Sequence, residues 1–146
     1  MLSAEGPGRD ADAAVGALYD SYYRPLIRLA ALLAADEAIA EEIVRDAFVA
    51  MHGAWRQLRD SDRAVRYLQE TVVRKSRSRR VPAPSGMGLV AALGSLPAPQ
   101  REALVLRYYA DMPQARIASV MGISSQAVSS HIARAMSALQ AILGPD

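Results

Sequence analysis

Cysteine is absent from the 146-residue sequence, which excludes a disulfide framework and any thiolate metal site. The two histidines, His52 and His131, stand far apart in sequence, so neither a metal nor a cofactor is expected. Phenylalanine and tryptophan occur once each, which leaves a packed core to be built from aliphatic side chains. β-branched runs are scarce while alanine and leucine dominate, and this balance favours an all-α fold. No apolar run approaches the ~20 residues of a membrane span. The N-terminus lacks a basic-then-apolar leader. Membrane insertion is therefore not expected, and a cytoplasmic location is. No Ser/His/Asp set, phosphate loop or metal cluster is legible, so the chain is not expected to be an enzyme. Lysine occurs once, as Lys75, and arginine supplies the other 16 of 17 basic residues; the arginine and alanine bias suits a GC-rich bacterial genome. Net charge is only +2, so the placement of charge matters more than its sum.

One stretch near the C-terminal end, residues 111–143, reads as a helix-turn-helix. A first helix is predicted from Pro113 to about Met121, because proline is tolerated at the first helical position. Gly122 ends it, where glycine takes the left-handed backbone cheaply. Ser124 then caps a second helix. Val128, Ile132, Met136 and Leu139 recur at helical spacing and give that helix an apolar face. The opposite surface carries Ser125, Gln126, Ser129, Ser130, His131 and Arg134, hydrogen-bonding groups of the kind that reach base edges in a major groove. A plain helical hairpin with a solvated polar face fits this window as well.

Residues 1–10 are polar, contain Gly6, Pro7 and Gly8, and read as a disordered tail. From residue 11 to 34, Val15, Leu18, Tyr22, Leu26, Leu29 and Leu33 recur at helical spacing, with Pro25 expected to kink or break the helix. Asp36 is placed to cap a second helix reaching Trp55, with Ile39, Ile43, Ala47, Phe48, Met51 and Trp55 on its core face. Its other face carries Glu37, Glu41, Glu42, Arg45 and Asp46, either a solvated surface or a dock for a basic partner. A polar loop over 57–62 leads to a third helix capped by Ser61 or Asp62. Its apolar positions are Val65, Leu68 and Val72. Arg63, Arg66, Glu70, Arg74 and Arg77 form a second stripe, and residues 74–80 hold five basic side chains in seven. Such a run suits phosphate contacts through counterion release. Residues 81–88, with two prolines and two glycines, read as a linker. Eight residues span at most about 26–29 Å. Leu89, Val90 and Leu93 of a short helix are expected to point inward, as are Leu104, Val105 and Tyr108 of a helix begun by Pro97-Ala98-Pro99. This divides the chain into a tail (1–10), a helical domain (11–80), a linker (81–88) and a helix-turn-helix domain (89–146).

Three stretches together resemble the extracytoplasmic-function, or group IV, sigma factors of the bacterial sigma-70 family. They are Leu18-Tyr19-Asp20-Ser21-Tyr22-Tyr23-Arg24-Pro25-Leu26 followed by Ala40-Glu41-Glu42-Ile43-Val44-Arg45-Asp46-Ala47-Phe48; the arginine-rich helix over 64–80; and Leu96-Pro97-Ala98-Pro99-Gln100-Arg101-Glu102-Ala103-Leu104-Val105-Leu106-Arg107-Tyr108-Tyr109, running on through 111–135. The resemblance implies two small all-α domains: a sigma-2-like three-helix domain for core polymerase and the −10 element, and a sigma-4-like domain for the −35 element. The implied partners are core RNA polymerase, through its β′ clamp and β flap, and promoter DNA, with an anti-sigma factor as a further partner that many relatives have. Glu41, Glu42, Arg45 and Asp46 match the clamp-docking helix. The loop over 58–62 matches the element that captures a flipped −10 base, and flipping needs a pocket to offset a few kcal/mol of unstacking. Arg59, Arg63, Arg66, Tyr67, Arg74, Lys75, Arg77, Arg79 and Arg80 would then hold the exposed strand by phosphate pairing and stacking. Ser125, Gln126, Ser129, Ser130, His131 and Arg134 fall on the −35 recognition helix. The chain departs from the family at Arg45, where glutamine is frequent, at Arg74, where asparagine is common, and at Ser125 and Ser129, often basic. Its linker is also short. Two other readings stay open at this stage: a stand-alone helix-turn-helix regulator, and a degenerate sigma-like protein that binds polymerase without initiating.

Overall fold

In a computed structural model the described residues, 7–78 and 88–144, form seven α-helices and no strand. They are α1 (Pro7–Ala34), α2 (Ala40–Leu58), α3 (Ser61–Arg77), α4 (Leu89–Gly94), α5 (Ala98–Tyr108), α6 (Gln114–Met121) and α7 (Ser125–Leu143). The all-α expectation is met. Among these residues no helix is long and apolar enough to cross a membrane. The expected linker lies outside the described residues except for Gly88, and so do Met1–Gly6 of the expected tail. α1 already begins at Pro7, so helix takes in the remainder of that tail segment.

α1, α2 and α3 pack against one another around Leu29, Ile43, Val44, Met51, Leu68 and Val72, all out of water. α1 runs unbroken through Pro25, against the expected break. Asp36 does not cap α2. It accepts from the Ala38 amide at 2.8 Å and closes a turn ahead of a helix that starts only at Ala40. The loop after α2 is shorter than expected, because α2 runs to Leu58. Asp60 rather than Ser61 or Asp62 caps α3, accepting from the Asp62 amide at 3.2 Å.

In the second half α5 crosses α7, and α6 packs on both. Its apolar pattern is rotated from the expected one. Leu89 and Tyr108 stand exposed, while Ala92 and Leu106 are buried beside Leu93, Leu104 and Val105. On α7 the inner positions are Val128, Ile132, Ala135 and Leu139, and Met136 is exposed. The helix-turn-helix boundaries hold. Gly122 adopts φ +70°, and its amide donates to the Ala118 and Ser119 carbonyls. Pro113 is the residue before α6 rather than its first. The Ser124 hydroxyl accepts from the Ala127 amide at 3.0 Å, which satisfies one of the four orphan donors of α7. Ser124→Ala should therefore lower stability by about 1 kcal/mol, read as a lower urea midpoint at unchanged slope.

The two halves share one contiguous core, because α4 and α5 pack on α1. Arg101 makes the deepest polar contact between them. Its side chain is 5% exposed; Nε donates to the Leu33 carbonyl at 2.7 Å, and Nη1 to the Leu96 and Leu93 carbonyls at 3.0 and 3.4 Å. Leu33 lies in the last turn of α1, where helix carbonyls lack an intrahelical partner, and Leu93 lies in the last turn of α4, where its carbonyl also accepts from the Leu96 amide at 3.0 Å. One guanidinium thus caps two helix C-termini, with its charge at the negative ends of both dipoles. Burial pulls the Arg101 pKa below its ordinary value, with the neighbouring Glu102 acting in the opposite direction.

Candidate nucleic-acid interface

Three surfaces carry the residues singled out from the sequence. On α7, Ser125, Gln126, Ser129, Ser130 and Arg134 are all exposed on the outer face. His131 departs from that expectation: it is half-buried, and its Nδ1 lies out of water with no hydrogen-bond partner among the described residues. The reason is its position one residue before Ile132, at the edge of the inner stripe. Gln114, which sequence reasoning did not single out, ties the two helices of the motif together. Its Nε2 donates to the Ser125 carbonyl at 2.8 Å and to the Ser129 hydroxyl at 2.7 Å. The Ser129 oxygen is accepting there, so its proton remains available to an acceptor outside the protein.

On α3, Arg63 and Arg66 are exposed on the first two turns and Tyr67 is half-buried. Arg59 stands exposed in the short turn before the helix with φ +48°, a left-handed conformation that arginine adopts at a cost of about 1 kcal/mol. Further along, Arg74 is exposed and Lys75 half-buried. Arg74 Nη2 lies 3.4 Å from the Thr71 hydroxyl of its own helix. Arg79 and Arg80 lie outside the described residues.

Arg77 is not a free cation. Its Nε donates to Glu102 Oε1 at 3.0 Å and its Nη2 to Glu102 Oε2, a bidentate pair, and Nη2 also donates to the Val120 carbonyl at 3.2 Å. The hydrogen bonds to Glu102 raise the Arg77 pKa above its ordinary value, against a smaller effect of burial. Glu102 itself is buried at 8% exposure. On the same side of α3, Gln69 Oε1 accepts from Arg116 Nη1 at 2.9 Å, and Glu70 lies 3.6 Å from Arg116 Nη2. Sequence reading treated Arg101, Glu102 and Arg116 as background. Spacing offered no signal for them, because each pairs with a group at least 25 residues away along the chain.

On α2, Glu41, Glu42 and Arg45 are exposed and Asp46 is half-buried. This face borders a groove of about 370 Å³ in which Arg24 and Arg28 of α1 stand across from Glu37 and Glu41. Tyr19 and Tyr23 of α1 stack at 4.5 Å between ring centroids, and Tyr19 tilts onto Phe48 at 5.2 Å. That aromatic column fixes α1 against α2 beside the acidic face.

The chain therefore presents an acidic helix face, an arginine-lined helix and a helix-turn-helix with a polar recognition face. A family model described as Sigma-70 region 2 matches residues 18–80, and one described as Sigma-70, region 4 matches residues 87–139. Together they take in most of the sequence. Among solved structures, that of CnrH in complex with the cytosolic domain of CnrY is similar, with a TM-score of 0.71 and 28% sequence identity over 94% of each chain. No curated protein matches the chain.

Proposed function

We propose, since the chain belongs to the sigma-70 family and is a sigma factor of its extracytoplasmic-function type, that its three surfaces divide the work of promoter recognition among them. The acidic face of α2 docks on the β′ clamp of core RNA polymerase in the cytoplasm, and the helix-turn-helix half reaches the β flap. The exposed arginines of α3, with Arg59 and Tyr67, hold the single strand of the −10 element. The outer face of α7 reads the −35 element. The family works by binding polymerase and DNA, and no catalytic role is assigned to any residue. An anti-sigma factor is a further partner in this reading. Its support is the similarity to CnrH, whose solved structure contains the cytosolic domain of CnrY.

The observation that carries the reading is the region-2 match on a three-helix unit whose α2 leaves Glu41, Glu42 and Arg45 in solvent. A stand-alone helix-turn-helix regulator would use that unit for dimerisation or sensing and would bind duplex DNA without polymerase. The test is transcription in vitro with purified core polymerase on a pool of genomic promoters, where specific initiation is expected. Reversing Glu41 and Glu42 together to lysine should weaken co-purification with core at least tenfold while helicity is unchanged. Undiminished co-purification of that variant would remove the docking role from α2.

A further inference from the structure

The side chain of Gln114 serves a helix other than its own. Gln114 is the first residue of α6, and that helix begins without a side-chain cap. Its amide crosses instead to the first turns of α7, where Nε2 donates to the Ser125 carbonyl at 2.8 Å and to the Ser129 hydroxyl at 2.7 Å. A carbonyl oxygen can only accept, so the atom facing Ser125 is the amide nitrogen, and this sets which way the amide points. Both of its protons are then used, one on each acceptor.

A serine on a helix ordinarily turns its proton back to the carbonyl four residues earlier. For Ser129 that carbonyl is the one on Ser125. Helical pairing already gives this oxygen the Ser129 amide, and Gln114 fills its second lone pair. The back-bond is accordingly not formed. Among the described residues the Ser129 hydroxyl has one partner, Gln114, and it accepts from it. Ser129 is exposed, so its proton is left for a group outside the protein. Accepting from an amide also polarises the hydroxyl and makes it the stronger donor. A duplex seated against α7 excludes the water that competes for these groups. A base that offers an acceptor then completes the chain of bonds. A base that offers a donor strands the serine proton, because the Ser125 carbonyl has no lone pair left to take it.

We infer that Gln114 is a specificity-determining positioning residue, which fixes Ser129 as a one-way donor to the base it meets. The inference rests on the reading that the outer face of α7 meets the −35 element, and it names what that face selects at one position. In the major groove guanine and thymine present acceptors as their only polar groups, whereas cytosine presents only a donor. Ser129 therefore favours guanine or thymine over cytosine, with adenine between them because it offers one of each. Ser129 carries no charge, so this preference concerns the base and not the phosphate backbone.

The test is promoter selection by reconstituted holoenzyme from a pool in which the −35 element is randomised. Ser129→Ala, at an exposed position, identifies the base concerned, as the one whose preference for guanine or thymine it removes. Wild type should favour those bases over cytosine there by about tenfold, the worth of one well-directed hydrogen bond. Gln114→Met frees the Ser125 carbonyl, the serine proton turns back onto it, and the preference should fall to about twofold or less. In the Ser129→Ala background the same substitution should change nothing further at this base. Gln114→Glu is decisive, because a carboxylate accepts but cannot donate. The Ser129 hydroxyl then donates to the new carboxylate and turns its lone pairs to the DNA, so the preference at this base should invert toward cytosine. A packing defect weakens selection but does not invert it at one base. Repulsion of the backbone by the added charge is uniform across sequences and leaves the ratio between bases untouched. Both Gln114 variants should keep wild-type helicity. Gln114 variants with the full wild-type preference, or a glutamate variant that loses the preference without inverting it, would overturn the inference, and so would a Ser129→Ala holoenzyme that selects as wild type does. Failure of the underlying reading looks different: a wild-type holoenzyme that selects no −35 sequence at all, with which the inference also falls.

Discussion

Replacing Arg101 with methionine is expected to lower the unfolding free energy by about 3 kcal/mol. The guanidinium forms two good hydrogen bonds, to Leu33 and Leu96, and one long one, to Leu93. Bonds to a charged donor are worth roughly 1.5–3 kcal/mol each, and removing the donor strands buried carbonyls. Against that, methionine spares the protein the cost of keeping a cation out of water, which is why the sum of the bonds overstates the loss. A domain stable by about 5–15 kcal/mol would still feel the change severely. Arg101→Lys sharpens the test. Lysine keeps the charge but concentrates its donors on one nitrogen, so it cannot serve the end of α1 and the end of α4 together. Urea unfolding should rank wild type above the lysine variant and the lysine variant above methionine. A methionine variant as stable as wild type would mean that desolvation cancels the bonds and that Arg101 does not hold the two helix ends.

Arg101 also marks where the sequence stops being informative. Helices, caps and turns are local chemistry, and Gly122 and Ser124 occupy the positions that such chemistry requires. On α2 and α3 spacing alone picks out Ile43, Met51, Leu68 and Val72, but it passes over Val44 and Val73, which are buried as well, and Val65 is only half-buried. Errors gather where a helix is buried on more than one side. The spacing from Leu104 predicts Tyr108 inward, but α5 is enclosed over residues 101–106 and exposed at both ends, Tyr108 included. Periodicity cannot see this, because it presumes one dry face. The seam between the halves was illegible for another reason. Arg77, Glu102 and Arg116 are 25 or more residues from their partners along the chain or stand alone in polar positions, and no rule of spacing pairs distant charges. The basic run on α3 was visible; that one of its arginines is already spoken for was not. Pro25 misled in the opposite direction, since tertiary packing of α1 on α2, α3 and α5 holds the helix through a residue that would weaken it in isolation.

Which residues read DNA, and how, divides into two effects that differ in kind. Arg74 and Lys75 are charges near the end of α3, and in the proposed reading their contacts fall on phosphates, which carry no sequence information. Replacing both with alanine should weaken promoter binding across sequences and flatten its salt dependence by about one unit of slope per lost contact. Gln126 is different. It is exposed one residue into α7, on the N-terminal part of the recognition helix that enters the major groove in this motif. Its amide can both donate and accept, which suits the paired acceptor and donor edge of adenine. Ser129 stands one turn further on, oriented by Gln114 with its proton free. Arg134 is more than a turn beyond that and suits the backbone. Replacing Gln126 with alanine should therefore change the preferred −35 sequence by roughly 1–3 kcal/mol at one or two positions, with the salt slope nearly intact. The measurement is selection of promoters by holoenzyme at two salt concentrations, wild type against each variant. A Gln126→Ala holoenzyme that selects the wild-type −35 sequence would move base reading off this face. A loss that is uniform across sequences and steep in salt would place Gln126 on the phosphates, and would leave Ser129, held by Gln114, as the residue to test next.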